Sequence, residues 1–328
     1  MITLGILGCG RIGQVHARSI LRLDGARIGA VADAMSAAAT DLAVRCDAPI
    51  RTSDEIIADP GIDAVVIGTP TDTHFDIIHA AARAGKAIFC EKPIDMSAEA
   101  IRACMAVVAE TGVPFMTAFN RRFDTNFAHV RAQIAEGRIG AVELVTILSR
   151  DPSPPPIGYI ETSGGLFRDM MIHDFDMARF LLGEEPVGVY AVGSALVDPA
   201  IGAAGDVDTA AVTLTTASGR ICQISNSRRA TYGYDQRIEV HGAKGMLRAG
   251  NVLENTVELA TETGFGTAPT LNFFLERYET AYLHEMRHFV EALAGGTPVS
   301  PTIEDGLRAQ LMADAAARSL ETGLPVTL

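Results

Sequence analysis

The 328 residues hold 27 basic and 40 acidic side chains, a formal net charge of −13, and are 48% hydrophobic, 20% charged and 6% aromatic with no Trp. So acidic a chain, without any Lys/Arg-rich run, excludes nucleic acid and anionic membranes as partners, because both select a basic surface. The length exceeds what a single core usually fills, about 250–300 residues, so two domains of an ordinary soluble α/β protein are expected.

Ile2 to Leu7 reads as a short apolar strand. The segment has no basic leader and no cleavage site, and no later run approaches the ~20 apolar residues of a membrane span, so a cytoplasmic location is expected. Gly8-Cys9-Gly10-Arg11-Ile12-Gly13 follows, then a helical pattern through Leu23. A G-x-G-x-x-G is weak alone, but this one ends a strand and opens a helix. The next strand, Arg27 to Ala32, ends at Asp33, 20 positions after Gly13. At that distance a carboxylate can accept both adenosine ribose hydroxyls while the glycines admit the pyrophosphate to the helix N-terminus. Asp33 would repel a 2′-phosphate, and Ala34, Met35 and Ser36 offer no guanidinium to receive one. The expected cofactor is therefore NAD rather than NADP.

Further βα units follow: a helix from Ser36 to Arg45, a short strand around Ile50, a helix from Ser53 and a buried strand from Ala64 to Gly68. This alternation predicts a parallel, doubly wound sheet. Thr69-Pro70-Thr71-Asp72-Thr73-His74 leaves the carboxyl end of the last strand, where ligands of open α/β sheets bind. His74 caps or starts the helix ending at Gly85, and a capping role and a cofactor contact are both open. After the strand Ala87 to Cys90 comes Glu91-Lys92-Pro93. The proline holds Lys92 out of helical geometry, in an extended or cis turn. Beside a nicotinamide such a lysine would lose its proton readily, through desolvation and the positive ring; the alternative is a surface lysine at a turn. The helix Ala98 to Thr111 and strand Phe115 to Ala118 complete a first domain over residues 1–119, and Asn120 to Asp124 crosses into a second over 120–328.

The second domain opens with a helix from Phe127 to Glu136, ended by Gly137, and a strand from Val142 to Leu148. Ser149 to Pro156 is too proline-rich for helix or central strand and is expected to be a rigid loop. Gly164 to Asp176 reads as a two-glycine turn running into a single helix, on which Asp169, His173 and Asp176 fall at i, i+4 and i+7, one stripe. Met170, Met171, Ile172, Phe175, Met177 and Phe180 make the rest of that helix apolar. Carboxylates and imidazoles in such a setting need a partner or a task. Three readings are open: a salt-bridged helix cap, a metal site of one His and two carboxylates, or acid/base chemistry on a polar substrate.

Beyond it, Val187 to Ser194, Thr209 to Thr215, Arg220 to Ser227, Gln236 to His241 and Val252 to Ala260 alternate as strands, with Gly242 to Gly245 as a turn. No helices separate them, so a large, mostly antiparallel sheet with helices on one face is expected. Helices near Tyr278 to Leu293 and Glu304 to Thr322 close the chain and carry no polar cluster. Cys9, Cys46, Cys90, Cys104 and Cys222 form no Cys-x-x-Cys pair and read as reduced core residues rather than zinc ligands. An open face on the second sheet favours burial against another copy, hence a homo-oligomer.

The Gly-rich turn with Asp33, Glu91-Lys92-Pro93, and Gly164-Gly165 followed by Asp169 and His173 together resemble the glucose-fructose oxidoreductase/inositol dehydrogenase/MocA family, essentially end to end. Asn120 to Asp124, Ser149 to Pro152, Arg168 to Asp176 and Tyr232 to Arg237 look most like its inositol 2-dehydrogenases, which oxidise a cyclic polyol with NAD. Carried over by position, the resemblance makes Lys92, Asp169 and His173 catalytic. It makes Gly8, Gly10, Arg11, Ile12, Asp33, Thr69, Pro70, His74, Glu91 and Lys92 cofactor contacts, and lines the substrate pocket with Asn120, Arg150, Asp169, His173, Asp176 and Tyr232. It also implies a homotetramer acting in inositol catabolism on a small polyol or sugar, with no resident metal. One departure is Ser149, where some inositol dehydrogenases carry a His.

The implied reaction is oxidation of myo- or scyllo-inositol to an inosose. Oxidising a secondary alcohol needs a base in reach of its hydroxyl, and His173 is the leading candidate, with Asp169 orienting its imidazole or holding a neighbouring hydroxyl and Lys92 polarising the oxygen and relaying its proton. Lys92 as the direct base is the alternative, since coupled groups share their titration. Three other functions compete: an aldopyranose dehydrogenase of the same family, a metal-dependent polyol dehydratase or isomerase using Asp169, His173 and Asp176, and a non-catalytic NAD sensor, which would not need Lys92 and His173 together.

Overall fold

Short aliphatic runs, each returned by a helix, line up in parallel in the computed structural model, which describes residues 1–328. Strands β1 (Ile2–Leu7), β2 (Ala26–Ala32), β3 (Ala64–Ile67), β4 (Ala87–Cys90) and β5 (Phe115–Thr117) are ordered β2-β1-β3-β4-β5, every neighbouring pair parallel. β3 and β4 are buried at every position, as expected of parallel strands covered on both faces. The strand order reverses between β1 and β3, and the crevice outside the carboxyl ends at such a switch point is where ligands of these sheets bind. Gly8, Asp33, Gly68 and Glu91 follow directly on β1, β2, β3 and β4. The expected strand around Ile50 is reduced to one isolated bridge with Val31. The chain leaves the sheet there because Thr52 turns it into a helix through a reciprocal capping box with Glu55.

The chain divides into two units that are not contiguous in sequence: Met1–Phe123 with Thr280–Gln310, and Asp124–Glu279 with Leu311–Leu328. The expected boundary between 119 and 120 lies just ahead of the observed crossing, where Asp124 caps the helix Thr125–Ala135 by accepting the amides of Asn126 and Phe127. Most of the helix Glu279–Gly295 returns to the first unit. Its Phe289 meets Phe89 edge-to-face at 5.5 Å, and Met286 and Val290 join the same core.

The second unit carries the antiparallel sheet. Its strands are β6 (Val142–Arg150), β7 (Pro186–Ser194), β8 (Thr209–Thr216), β9 (Ile221–Ser227), β10 (Asp235–Gly242) and β11 (Gly245–Ala249). Then follow β12 (Glu258–Thr261), β13 (Gly264–Thr267) and β14 (Val326–Thr327). Seven of these form one sheet in the order β11-β10-β6-β9-β8-β7-β14, antiparallel except for the central pair β6 and β9. The helix Ile172–Leu182 packs on β6 and β9, burying Ile172, Phe175, Met177, Ala178, Leu181 and Leu182.

Three expectations change here. The single strand Val252 to Ala260 is instead an isolated bridge, Leu253 to Thr270, and a separate hairpin of β12 and β13. An Asn255 side chain that accepts the Val257 amide at 3.0 Å turns the chain between them. The proline-rich loop ends at Pro156, which enters an unforeseen helix, Ile157–Ser163; a proline's fixed φ suits the start of a helix. Finally, Gly164 to Asp176 is not one helix. Gly165–Asp169 ends at Met170, and a second helix starts at Ile172. The amides of Met170 and Met171 both return to the Leu166 carbonyl, at 3.1 and 2.9 Å, which widens the turn and breaks the register. Asp169 and His173 therefore flank a break rather than sharing an uninterrupted stripe.

Candidate active site

In the first unit the Gly-rich turn is fixed by contacts that only glycines allow. Gly8 sits at φ +95° with a would-be Cβ 2.5 Å from the Gly68 carbonyl carbon and oxygen, and a Cβ on Gly13 would lie 1.9 Å from the Gly8 oxygen. At Gly10, by contrast, a Cβ would meet nothing within 4 Å, and no side chain caps the helix that Gly10 opens. Uncapped first-turn amides beside open space are suited to a pyrophosphate. Arg11 is exposed at the first position of that helix, and Ile12 packs towards Gly68. Asp33 accepts the amides of Cys9 at 2.6 Å and Met35 at 2.7 Å, which holds its carboxylate beside the turn. The residues fit a dinucleotide whose adenosine ribose is free of a 2′-phosphate. NAD is expected to bind at least about tenfold tighter than NADP, a difference of about 1.4 kcal/mol, measured by titration of both; equal affinity would remove the assigned role of Asp33.

Thr69 and Pro70 follow β3, and the Thr73 hydroxyl bonds that of Thr69 at 2.7 Å. His74 is buried, with Nε2 2.9 Å from the Thr69 oxygen and Nδ1 3.0 Å from the Pro93 oxygen. It thereby ties together the segments that leave β3 and β4. Burial lowers its pKa, outweighing the carbonyls of Thr69 and Pro93, which favour the charged ring. The Lys92–Pro93 bond is cis, and Lys92 is half-buried. Beneath it Glu91 bonds the fully buried His16, Oε1 to Nε2 at 2.6 Å, and the His16 ring meets Phe89 and Tyr282 edge-on at 4.9 and 5.8 Å. Nothing in the sequence singled out His16, which occupies the apolar face of an ordinary amphipathic helix. Two of the cysteines are held as thiols: burial, with Asp33 close by, pushes Cys9 up to about 12, and burial raises Cys90 well above the ordinary thiol value. Asn120, expected on the substrate side, lies buried in the 3₁₀ turn Asn120–Phe123 of the first unit.

In the second unit the polar residues collect at one end of the sheet, because register brings them there. Arg150 at the end of β6 pairs with Ser227 at the end of β9 and with Asp235 at the start of β10, while Ser227 pairs with Thr209 at the start of β8. Asp169 accepts the Tyr159 hydroxyl at 2.9 Å and faces Arg228 Nη1 at 3.5 Å. Arg150 donates to the Tyr232 hydroxyl at 3.1 Å, and Tyr232 donates to Asp235 at 2.6 Å. Burial alone would raise the Asp235 pKa, but hydrogen bonds from Arg237, Tyr232 and Asn251 hold it below the ordinary carboxylate range. Ser149, where some relatives by resemblance carry His, is fully buried and bonds Gln236, whose Oε1 also accepts the Tyr278 hydroxyl at 3.1 Å.

His173 lies half-buried in the first turn of the helix Ile172–Leu182. Asp176 on the same helix is buried, 3.8 Å from Arg179. The metal reading of Asp169, His173 and Asp176 finds no donor set, since no group of three His, Cys, Asp or Glu side chains is arranged to hold an ion. No helix is long and apolar enough to cross a membrane. Tyr159, Asp206 and Arg228 were missed by sequence reasoning. Tyr159 falls in the unforeseen helix, and the other two are distant in sequence from the aspartate and helix they serve.

Comparison with known proteins matches residues 2–119 to the oxidoreductase family with an NAD-binding Rossmann fold, and residues 127–248 to the GFO/IDH/MocA C-terminal domain. The chain is 56% identical to the inositol 2-dehydrogenase of Rhizobium meliloti (strain 1021), over 97% of each chain. The crystal structure of a myo-inositol dehydrogenase from Corynebacterium glutamicum superposes with a TM-score of 0.96 at 42% identity, covering 100% of this chain and 99% of that one. That of scyllo-inositol dehydrogenase from Lactobacillus casei, with bound NAD(H) and scyllo-inositol, gives 0.93 at 32% identity, covering 100% and 99%.

Proposed function

The chain belongs to the GFO/IDH/MocA oxidoreductase family of NAD-dependent dehydrogenases acting on CH–OH groups, and from that footing we propose that it oxidises an inositol, myo- or scyllo-, to the corresponding inosose. The end-to-end likeness to inositol dehydrogenases carries this reading. The sheet-end cluster supports it, because Arg228 and Arg237 are already committed to Asp169 and Asp235. The carboxylates around them favour a neutral substrate that donates hydroxyl hydrogen bonds over an acid.

When bound, NAD accepts the hydride that leaves the carbinol carbon. The Gly-rich turn and Asp33 would hold it. His173 takes the hydroxyl proton in this proposal, and Lys92 polarises the oxygen. Asp169, which accepts the Tyr159 hydroxyl, either orients His173 or accepts a neighbouring hydroxyl. Arg150 and Tyr232 serve as further hydroxyl contacts, their geometry set by Asp235. Self-association, a tetramer by the family resemblance, belongs to the same proposal, as do a cytoplasmic location and a place in inositol catabolism. It is supported by the outward Val187, Tyr190 and Val192 of β7.

The test is NAD reduction over a panel of inositols, aldopyranoses and 2-hydroxy acids. Myo- or scyllo-inositol should give the highest kcat/KM. A preference for glucose-like pyranoses would turn the reading into the sugar dehydrogenase of the same family, and turnover of acids alone would contradict it.

A further inference from the structure

Arg228 stands directly after β9, its amide bonded to the Asp208 carbonyl at 2.8 Å, and its side chain is only 1% exposed. A guanidinium so deeply buried requires compensation, and two carboxylates face it: Asp169 Oδ2 at 3.5 Å from Nη1 and Asp206 Oδ2 at 3.9 Å from Nη2. Its Nε and Nη2 donate no hydrogen bond, so nothing else in the core accounts for the charge. The two carboxylates serve opposite ends of one short helix. Asp206 accepts the Leu166 amide at 3.0 and 3.1 Å, at the start of Gly165–Asp169, while Asp169 is the last residue of that helix. The glycine at 165 is required by this arrangement: it sits at φ +78°, and a Cβ there would lie 2.6 Å from Asp206 Oδ1. Gly165, Asp206, Arg228 and Asp169 are thus one construction.

We propose that Arg228 is a positioning residue: bridging Asp206 to Asp169, it clamps the Gly165–Asp169 helix at both ends and aims the Asp169 carboxylate for proton handling. The helix is a single turn whose register breaks immediately after Asp169, and Arg228 reaches that last residue from the end of β9. Tyr159 donates to the other oxygen at 2.9 Å from a half-exposed site, whereas the guanidinium is buried. This inference rests on the catalytic role proposed for Asp169.

The experiment compares Arg228→Met, Arg228→Lys, Asp206→Asn and Asp169→Asn, and the Asp169→Asn/Arg228→Met double variant. It uses the full chain and reads kcat, KM for myo-inositol, KM for NAD and melting temperature. Arg228→Met should lower kcat by about 10- to 100-fold, the scale set by misplacing a catalytic group, with KM for NAD unchanged; Arg228→Lys should recover part of the loss. In the Asp169→Asn background the further loss from Arg228→Met should vanish, because the residue it acts through is already disabled. Asp206→Asn should reproduce a smaller loss of the same kind, which keeps the test decisive if Arg228→Met does not fold. Losses that multiply, or folded Arg228→Met and Asp206→Asn proteins with wild-type kcat, would overturn the clamp alone. Wild-type turnover in Asp169→Asn, or none in the wild type, would instead strike the functional reading and take the clamp with it.

Discussion

His173→Ala is expected to lower kcat for inositol oxidation by about 10²- to 10⁴-fold, the usual consequence of losing a general acid/base. NAD affinity should stay within about twofold, because the dinucleotide determinants, Gly8, Gly10, Gly13 and Asp33, all lie in the first unit. Melting temperature should change little, because His173 is only half-buried, in the first turn of a helix otherwise secured by Phe175, Met177, Leu181 and Leu182. If His173 were a structural cap instead, stability, cofactor binding and turnover would decline together. Measuring the three on one preparation separates these cases. A folded variant with near wild-type kcat would remove His173 from the mechanism and leave Lys92 as the base.

Gly13→Ala is the second large expected effect, and it acts on the cofactor side. A methyl group there would lie 1.9 Å from the Gly8 carbonyl oxygen, which is backbone and cannot swing aside as a side chain would. Gly8 is itself pinned at φ +95° against Gly68 and Thr69, so the strain must displace the helix Arg11–Ile20 from the end of β1. Overpacking of this kind costs about 3 kcal/mol, which for a unit of this size is a drop of roughly 6–12 °C in melting temperature. The KM for NAD should rise at least about tenfold, since the first-turn amides move with the helix. Titrating NAD and recording thermal unfolding checks both. An unshifted KM with unchanged stability would mean that the turn does not carry the pyrophosphate.

The first unit was legible because its signals are local. β3 and β4 are uninterrupted apolar runs ended by Gly68 and Glu91, β1 is one interrupted only by Thr3 and ended by Gly8, and the spacing from Gly13 to Asp33 needs no tertiary knowledge. What escaped depends on distant packing or on backbone detail. Residues 280–310 return to the first unit through contacts such as Phe289 on Phe89, whereas periodicity shows that a helix has an apolar face but not which core receives it. The break after Asp169 falls between two methionines, good helix formers, with no glycine or proline to mark it. Arg228 lies 59 residues from Asp169, and Asp206 lies 40 from Leu166, so no motif spacing could have linked them. Lys92, Asp169 and His173 stood out locally, at a strand's carboxyl end and along an otherwise apolar helical segment, but their assignment as the catalytic set came from the family resemblance, and the roles of Asp169 and His173 are tested by the variants described above.

The central claim, oxidation of a polyol carbinol carbon by hydride transfer, is tested most directly by myo-inositol or scyllo-inositol deuterated at its ring carbons. The protein, NAD and the labelled inositol are mixed, and the nicotinamide product is analysed by mass spectrometry alongside the inosose. One deuteron in each NADH formed, with stoichiometric inosose, is the predicted result. Consumption of inositol with no deuterium in the nicotinamide, or no consumption at all, would contradict it.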